Sequence, residues 1–209
     1  MRIFVAINLP KYFSTQLDEE LQTVKQEHKD YRWVYTENMH ITLAFLGELD
    51  DYGLSILEKV VEKTIEKIKK STFTTGKMID IPIGVYRDKY YGFVRQKKVN
   101  GIALSIEKGI EEIKAISEII ENFLVEIGKN NNYEFRTKEK RPFIPHITLA
   151  RKGRNPMRYL SYHYKNESFS IQGFIDNITI FKSEIFKGNP NRQHKEIPKY
   201  TPIKIYKIE

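Results

Sequence analysis

The sequence predicts an α+β chain built as two similar lobes, and three observations carry that reading. Strand-like and helix-like stretches alternate twice. Each half holds one His-Ile-Thr-Leu segment and at least one long helix. No linker-like composition separates the halves. At 209 residues the chain has length enough for two lobes sharing a core, so residues 1–209 are read as one unit.

The elements follow in order. Residues 2–8 form an apolar run suited to a buried strand. Pro10 fits a first helical position, and Phe13, Leu17, Leu21 and Val24 then recur at helical spacing. Residues 33–35 and 40–46 read as strands, the second stopped by Gly47. Leu54, Leu57, Val60, Val61, Ile65 and Ile68 mark a second amphipathic helix. Strands are expected around residues 73–85 and 90–96, joined by a tight turn at Asp88-Lys89. The longest helix is expected over residues 100–127, on Ile102, Ile106, Ile110, Ile113, Ile116, Ile120, Phe123 and Ile127, with Gly128 and three asparagines stopping it. Residues 146–151 read as a strand and 152–158 as a basic loop. Strand-like stretches follow at 168–171, 177–182 and 202–208.

Composition narrows the chemistry. The chain has 40% apolar and 30% charged residues, a globular balance, and no apolar run near the ~20 residues needed to span a bilayer. The run from Ile3 to Ile7 is too short for the apolar region of a secretion signal, so a cytoplasmic protein is expected. With no cysteine, catalysis must rest on histidine, carboxylate, hydroxyl, lysine or arginine groups. A net charge of +8 suits a polyanionic partner such as RNA, although a Lys-, Ile- and Asn-rich composition produces the same charge.

The repeated tetrapeptide is the sharpest feature. Five histidines are present, and chance recurrence of a four-residue word beginning with one of them is on the order of one in a few hundred. Strand alternation gives the repeat a meaning. His40 and Thr42 share one face, with Ile41, Leu43 and Phe45 on the other. His146 and Thr148 share a face likewise, with Ile147 and Leu149 opposite. Two imidazoles with ordinary pKa values near 6.5 can serve as one base and one acid. Thr42 and Thr148 can hydrogen-bond phosphate oxygens. Neither histidine has the carboxylate or second-histidine spacing of a zinc site, so no metal and no cofactor are expected.

On these residues the chain resembles the 2H phosphoesterases, and among them the bacterial and archaeal RNA 2′,3′-cyclic phosphodiesterases, also called 2′-5′ RNA ligase-like proteins. The likeness extends from Arg2-Ile-Phe-Val-Ala-Ile-Asn-Leu-Pro10 and Asn38-Met-His-Ile-Thr-Leu-Ala-Phe-Leu-Gly-Glu48 to Arg141-Pro-Phe-Ile-Pro-His-Ile-Thr-Leu-Ala-Arg151 and Tyr200-Thr-Pro-Ile203. The resemblance implies a bilobal fold with pseudo-twofold symmetry, two antiparallel sheets and outer helices around a cleft. It implies a substrate, RNA with a 2′,3′-cyclic phosphate end, opened to a 2′-phosphate. His40 would be the proton donor to the leaving 3′ oxygen and His146 the acceptor that activates water. A monomer without membrane association is expected. Ligation of RNA ends through 2′-5′ linkages and noncatalytic RNA binding are the alternatives.

Secondary candidates are weaker. Arg151 and Arg141 can clamp a phosphate, but strict alternation turns Arg151 away from His146. Phe45 is read as core. Trp33, Tyr35, Tyr133 and Phe143 can stack a base, with packing the simpler account of each. His28, His163 and His194 lack a matching hydroxyl and are read as surface or structural residues.

Overall fold

The architecture is that of a computed structural model, which describes residues 1–82, 99–135, 143–151, 164, 166–187 and 196–209. In chain order the elements are β1 (Arg2–Asn8), α1 (Lys11–Glu20), α2 (Gln22–Glu27), β2 (Arg32–Trp33), a 3₁₀ turn (Thr36–Asn38), β3 (His40–Glu48), α3 (Asp51–Ile65), β4 (Ser71–Pro82), β5 (Val99–Lys108), α4 (Ile110–Asn130), β6 (His146–Arg151), β7 (Gln172–Ile175), β8 (Asn177–Lys187) and β9 (Glu196–Lys207).

Alternation in β1 shows how one strand serves two faces. Ile3, Val5 and Ile7 enter the large core, while Phe4 and Ala6 join Phe181 in a small cluster on the opposite face. Pairing is antiparallel throughout the described strands. The strand order is β7-β4-β5-β6-β3-β1-β8-β9, with β2 beside β6. This is the predicted α+β class, but the two half-sheets are continuous. They are joined at one residue pair, Ile41 with Ile147, the second residue of each tetrapeptide. The lobes are also nested rather than sequential. β4, β5, β6 and β7 form one half-sheet, while the C-terminal β8 and β9 return to complete the half that β1 and β3 began.

Helix α3 packs against α4 and β9, and α4 packs against β3. Asp50 caps α3 by accepting the Gly53 amide at 2.7 Å. The apolar faces of both helices are buried, through Ile56, Leu57, Val60 and Val61 on α3 and Ile113, Ile116 and Ile120 on α4. Among the described residues no helix is long and apolar enough to cross a membrane.

Three expectations are corrected. Residues 100–108 are strand, not helix. Ile102 and Ile106 match helical spacing, yet with Leu104 between them they also match a period of two. Gly109, at φ 79°, separates that strand from α4. Gly47, at φ 75°, does not stop β3, which runs on to Glu48. Its register against β1 slips by one residue there, so the glycine accommodates a bulge. Residues 168–171 precede β7 and are not strand. Residues 90–96, the Asp88-Lys89 turn and the basic loop 152–158 lie outside the described residues.

Further bulges occur inside both tetrapeptide strands. β3 slips against β1 between Ala6–Thr42 and Val5–Ala44, leaving Leu43 as the extra residue. β6 slips against β5 between Ala103–Thr148 and Ile102–Ala150, leaving Leu149. A bulge interrupts the ladder, and buried carbonyls so freed must find donors elsewhere. Both do. The Ser117 hydroxyl, buried on α4, donates to the Leu43 carbonyl at 2.8 Å, and the Val34 amide donates to the Leu149 carbonyl at 2.8 Å. Ser117→Ala is therefore expected to destabilise the fold by about 1–3 kcal/mol, the range for orphaning a buried polar group. Urea unfolding measures this, and an unchanged midpoint would contradict it.

Candidate active site

The site lies on the sheet face opposite the helices, where the two tetrapeptide strands meet. Ile41, Leu43, Ile147 and Leu149 are almost fully buried, while His40, Thr42, His146 and Thr148 are half-buried on the other face. The predicted division of faces is therefore observed. An antiparallel pair at Ile41 and Ile147 sets His40 toward Thr148 and Thr42 toward His146 by register.

Each imidazole is oriented in the same way. Nδ1 of His40 donates to the Asn38 carbonyl at 2.7 Å, and Nδ1 of His146 donates to the Ile144 carbonyl at 2.7 Å. With Nδ1 carrying the proton, Nε2 of each ring is the atom left to exchange one. In the neutral His40 ring, Nε2 accepts from Thr42 Oγ1 at 3.0 Å.

The surroundings of the two rings differ. His40 meets Phe4 (centroids 4.9 Å apart), Phe181 (6.1 Å) and Tyr200 (5.2 Å, edge-on). Burial pushes its pKa down to about 4, against a raising effect of the Asn38 hydrogen bond; the charges of His146 and Arg151 push it further down. Burial also lowers His146, opposed by its bond to Ile144 and aided by Arg151. Among the described residues no carboxylate figures in the groups acting on either ring.

The bulges correct two placements. After Leu149, both Leu149 and Ala150 are buried, so alternation resets and Arg151 returns to the histidine face. Its charge is felt by both imidazoles. After Leu43, Phe45 is reset likewise. It is 68% exposed and packs against Phe4, and it is not core. Phe45 and Arg151 therefore occupy matching positions, each five residues past its histidine. The buried pairs Leu43-Ala44 and Leu149-Ala150 were the available signal, since two small or apolar residues in succession break a period of two.

Other candidates fall elsewhere. Trp33 donates its indole N–H to the His28 carbonyl at 3.0 Å, and Tyr133 donates to Asp50 at 3.2 Å beside α3. Phe143 packs on the main core, and Tyr35 is exposed without a ring contact to either histidine. His28 is buried against Tyr31 and Tyr164, a structural position. Arg141, His163 and His194 lie outside the described residues. Among the described residues no three His, Asp or Glu side chains gather as a metal site.

Comparison with known proteins gives a consistent picture. A family model described as LigT-like phosphoesterase matches residues 7–78, which include His40 and Thr42. A Thermotoga maritima protein named RNA 2′,3′-cyclic phosphodiesterase is 24% identical over 190 residues, 91% of this chain and 90% of that one. Among solved structures, a Thermus thermophilus protein superposes with a TM-score of 0.72 at 19% identity, covering 100% of this chain and 98% of the other. E. coli LigT complexed with 3′-AMP superposes with a TM-score of 0.60 at 21% identity, covering 99% and 97%.

The lowered histidines carry a stability consequence. The unfolded chain binds protons at His40 near pH 6.5, whereas the folded chain does so only near pH 4. Between those values the unfolded state holds more protons, so stability present above pH 6.5 is lost as pH falls toward 4. Replacing His40 by Gln is expected to flatten that slope. Melting temperatures at pH 7 and pH 5 test it: the gap between wild type and H40Q must change in favour of the variant at pH 5.

Proposed function

This chain belongs to the LigT-like 2H phosphoesterases, and from that premise we propose that it hydrolyses RNA 2′,3′-cyclic phosphates to 2′-phosphates through His40 and His146. The observation that carries the reading is the meeting of two imidazoles at one sheet junction, each with Nδ1 held by a carbonyl two residues before it. The relatives' names, such as that of the Thermotoga maritima protein, supply the substrate class.

In this mechanism Nε2 of His146 takes a proton from water as its oxygen attacks phosphorus. The P–O3′ bond breaks, and Nε2 of His40 gives its proton to the departing O3′. A phosphate is left on O2′ and a hydroxyl on O3′. Thr42, Thr148 and Arg151 hold the non-bridging oxygens, and no carboxylate among the described residues acts on the rings beside them. At pH 7 His40 without substrate is neutral, with a pKa of about 4. The negative charge of the cyclic phosphate offsets the burial penalty, so the proton that His40 donates arrives with substrate. Phe45, exposed beside Phe4, offers a ring face to the terminal base. The reading further takes residues 1–209 as one bilobal unit, monomeric and cytoplasmic, with a net charge of +8 suited to RNA.

A defined RNA ending in a 2′,3′-cyclic phosphate is the test. Wild type is expected to yield the 2′-phosphate, while His40→Ala and His146→Ala each lose at least about a hundredfold in kcat, the usual range for an acid or base. A 3′-phosphate product, joining to an added 5′-hydroxyl RNA in place of hydrolysis, or unchanged variants would overturn the reading. Because His40 in the free protein holds its proton only near pH 4, kcat/KM is expected to fall steadily as pH rises from about 5 to 8, and a profile level over that range would contradict the assignment of His40 as the acid. Base stacking is worth about 1–3 kcal/mol, so Phe45→Ala is expected to raise KM roughly ten- to a hundredfold with kcat nearly unchanged.

A further inference from the structure

Asn38 sits two residues before His40 and uses its two ends differently. Its carbonyl receives the His40 Nδ1 proton at 2.7 Å. Its side chain, 9% exposed, donates from Nδ2 to the Pro198 carbonyl at 3.1 Å and accepts the Tyr200 amide at 3.4 Å. Pro198 and Tyr200 belong to the part of β9 that pairs with Ser183 to Ile185, beyond the last β8 residue that pairs with β1. This outer arm of the hairpin follows a register slip between Ile180 and Phe181. Such a slip bends a strand. The arm thereby reaches the site, where the Tyr200 ring meets both Phe4 and His40.

The matching position in the other half is Ile144, whose carbonyl holds His146 at the same 2.7 Å. Its side chain is 59% exposed and has no amide to offer. The backbone bond to the imidazole is thus common to both halves, while the side-chain tie belongs to the His40 half. A buried amide joined to two main-chain groups of a remote strand fixes the carbonyl next to it.

We propose that Asn38 is a positioning residue for His40: its side-chain amide fastens the β8–β9 arm to the turn that orients the imidazole, keeping Tyr200 against the ring. The inference rests on His40 being one of the two reacting histidines. Loss of the amide frees the arm, opens the aromatic wall around His40 to water and loosens the carbonyl that sets its tautomer. His146 is unaffected and serves as an internal reference.

Full-length wild type, Asn38→Ala and Asn38→Asp provide the test. The Asp variant keeps the acceptor for Tyr200 but puts an oxygen against the Pro198 carbonyl. Imidazole ¹⁵N shifts followed against pH report the tautomer and titration of each histidine, and need no turnover. In N38A the His40 titration is expected to move up toward the ordinary histidine range with a mixed tautomer, while His146 titrates as in wild type. In N38D the tautomer is expected to fall between the two; its carboxylate raises the His40 titration by charge alone, so only the tautomer is read from that variant. On a cyclic-phosphate RNA, kcat is expected to drop about ten- to a hundredfold in N38A with KM within about twofold, as for a misplaced reacting group. A His40 titration and tautomer in N38A identical to wild type would overturn the proposal, as would equal shifts at His40 and His146 in that variant. If wild type does not hydrolyse the RNA, the functional reading fails, whereas the ¹⁵N data still decide the role of Asn38.

Discussion

One backbone pairing, Ile41 with Ile147, holds the arrangement together. It is the only register pair between β3 and β6 among the described residues, and it lies inside both tetrapeptides. Its buried side chains belong to the core beneath, and the residues on either side of each isoleucine are the histidines and threonines of the site. Because the pairing is so short, the strands are free to diverge beyond it. β6 then passes to β2 through Ala150 and Arg151, while β3 stays with β1. A longer ladder would align the half-sheets and bring further side chains into register over the imidazoles.

Much of this was legible in the sequence, for reasons that also explain what was not. A strict period of two assigns His40, Thr42, His146 and Thr148 to one face and their apolar neighbours to the other, because side-chain direction in a strand depends only on parity. Parity fails at a bulge. Arg151 and Phe45 lie one bulged residue past their threonines, so both were turned to the wrong face. The donors to the carbonyls freed at those bulges, the Ser117 hydroxyl and the Val34 amide, come from elements remote in sequence or outside the paired strands, and no local pattern announces them. Residues 100–108 misled differently. Spacing by four satisfies helix and strand alike, and only Leu104 in the middle of the series breaks the tie. Nothing near Asn38 in the chain hints that its amide would meet Pro198.

Pseudo-symmetry in the backbone contrasts with chemistry that is not symmetric. The two halves repeat the i−2 carbonyl, the histidine, the threonine and the bulged leucine. They diverge at the next outward-facing residue, Phe45 on one side and Arg151 on the other. They diverge again in the walls, since three rings surround His40. An anion with an aromatic end entering such a site experiences different forces on its two sides, a cation on one and a ring on the other. A symmetric scaffold can in this way give its ligand a single orientation.

The nested connectivity has a consequence for how the chain matures. β1 is an interior strand bordered by β3 and by β8, and β8 begins only at Asn177. The inserted half, from β4 to β7, is complete before its host. Pairings of this sequence separation form slowly because the intervening chain must first be ordered. One flank of β1 therefore stays exposed, with Phe4 uncovered by Phe181, until β8 has been made. The hairpin that finally closes this gap is the same one that brings Tyr200 to His40. The β8–β9 hairpin thus completes both the sheet and the aromatic wall beside His40, and a chain cut before β8 would lack both.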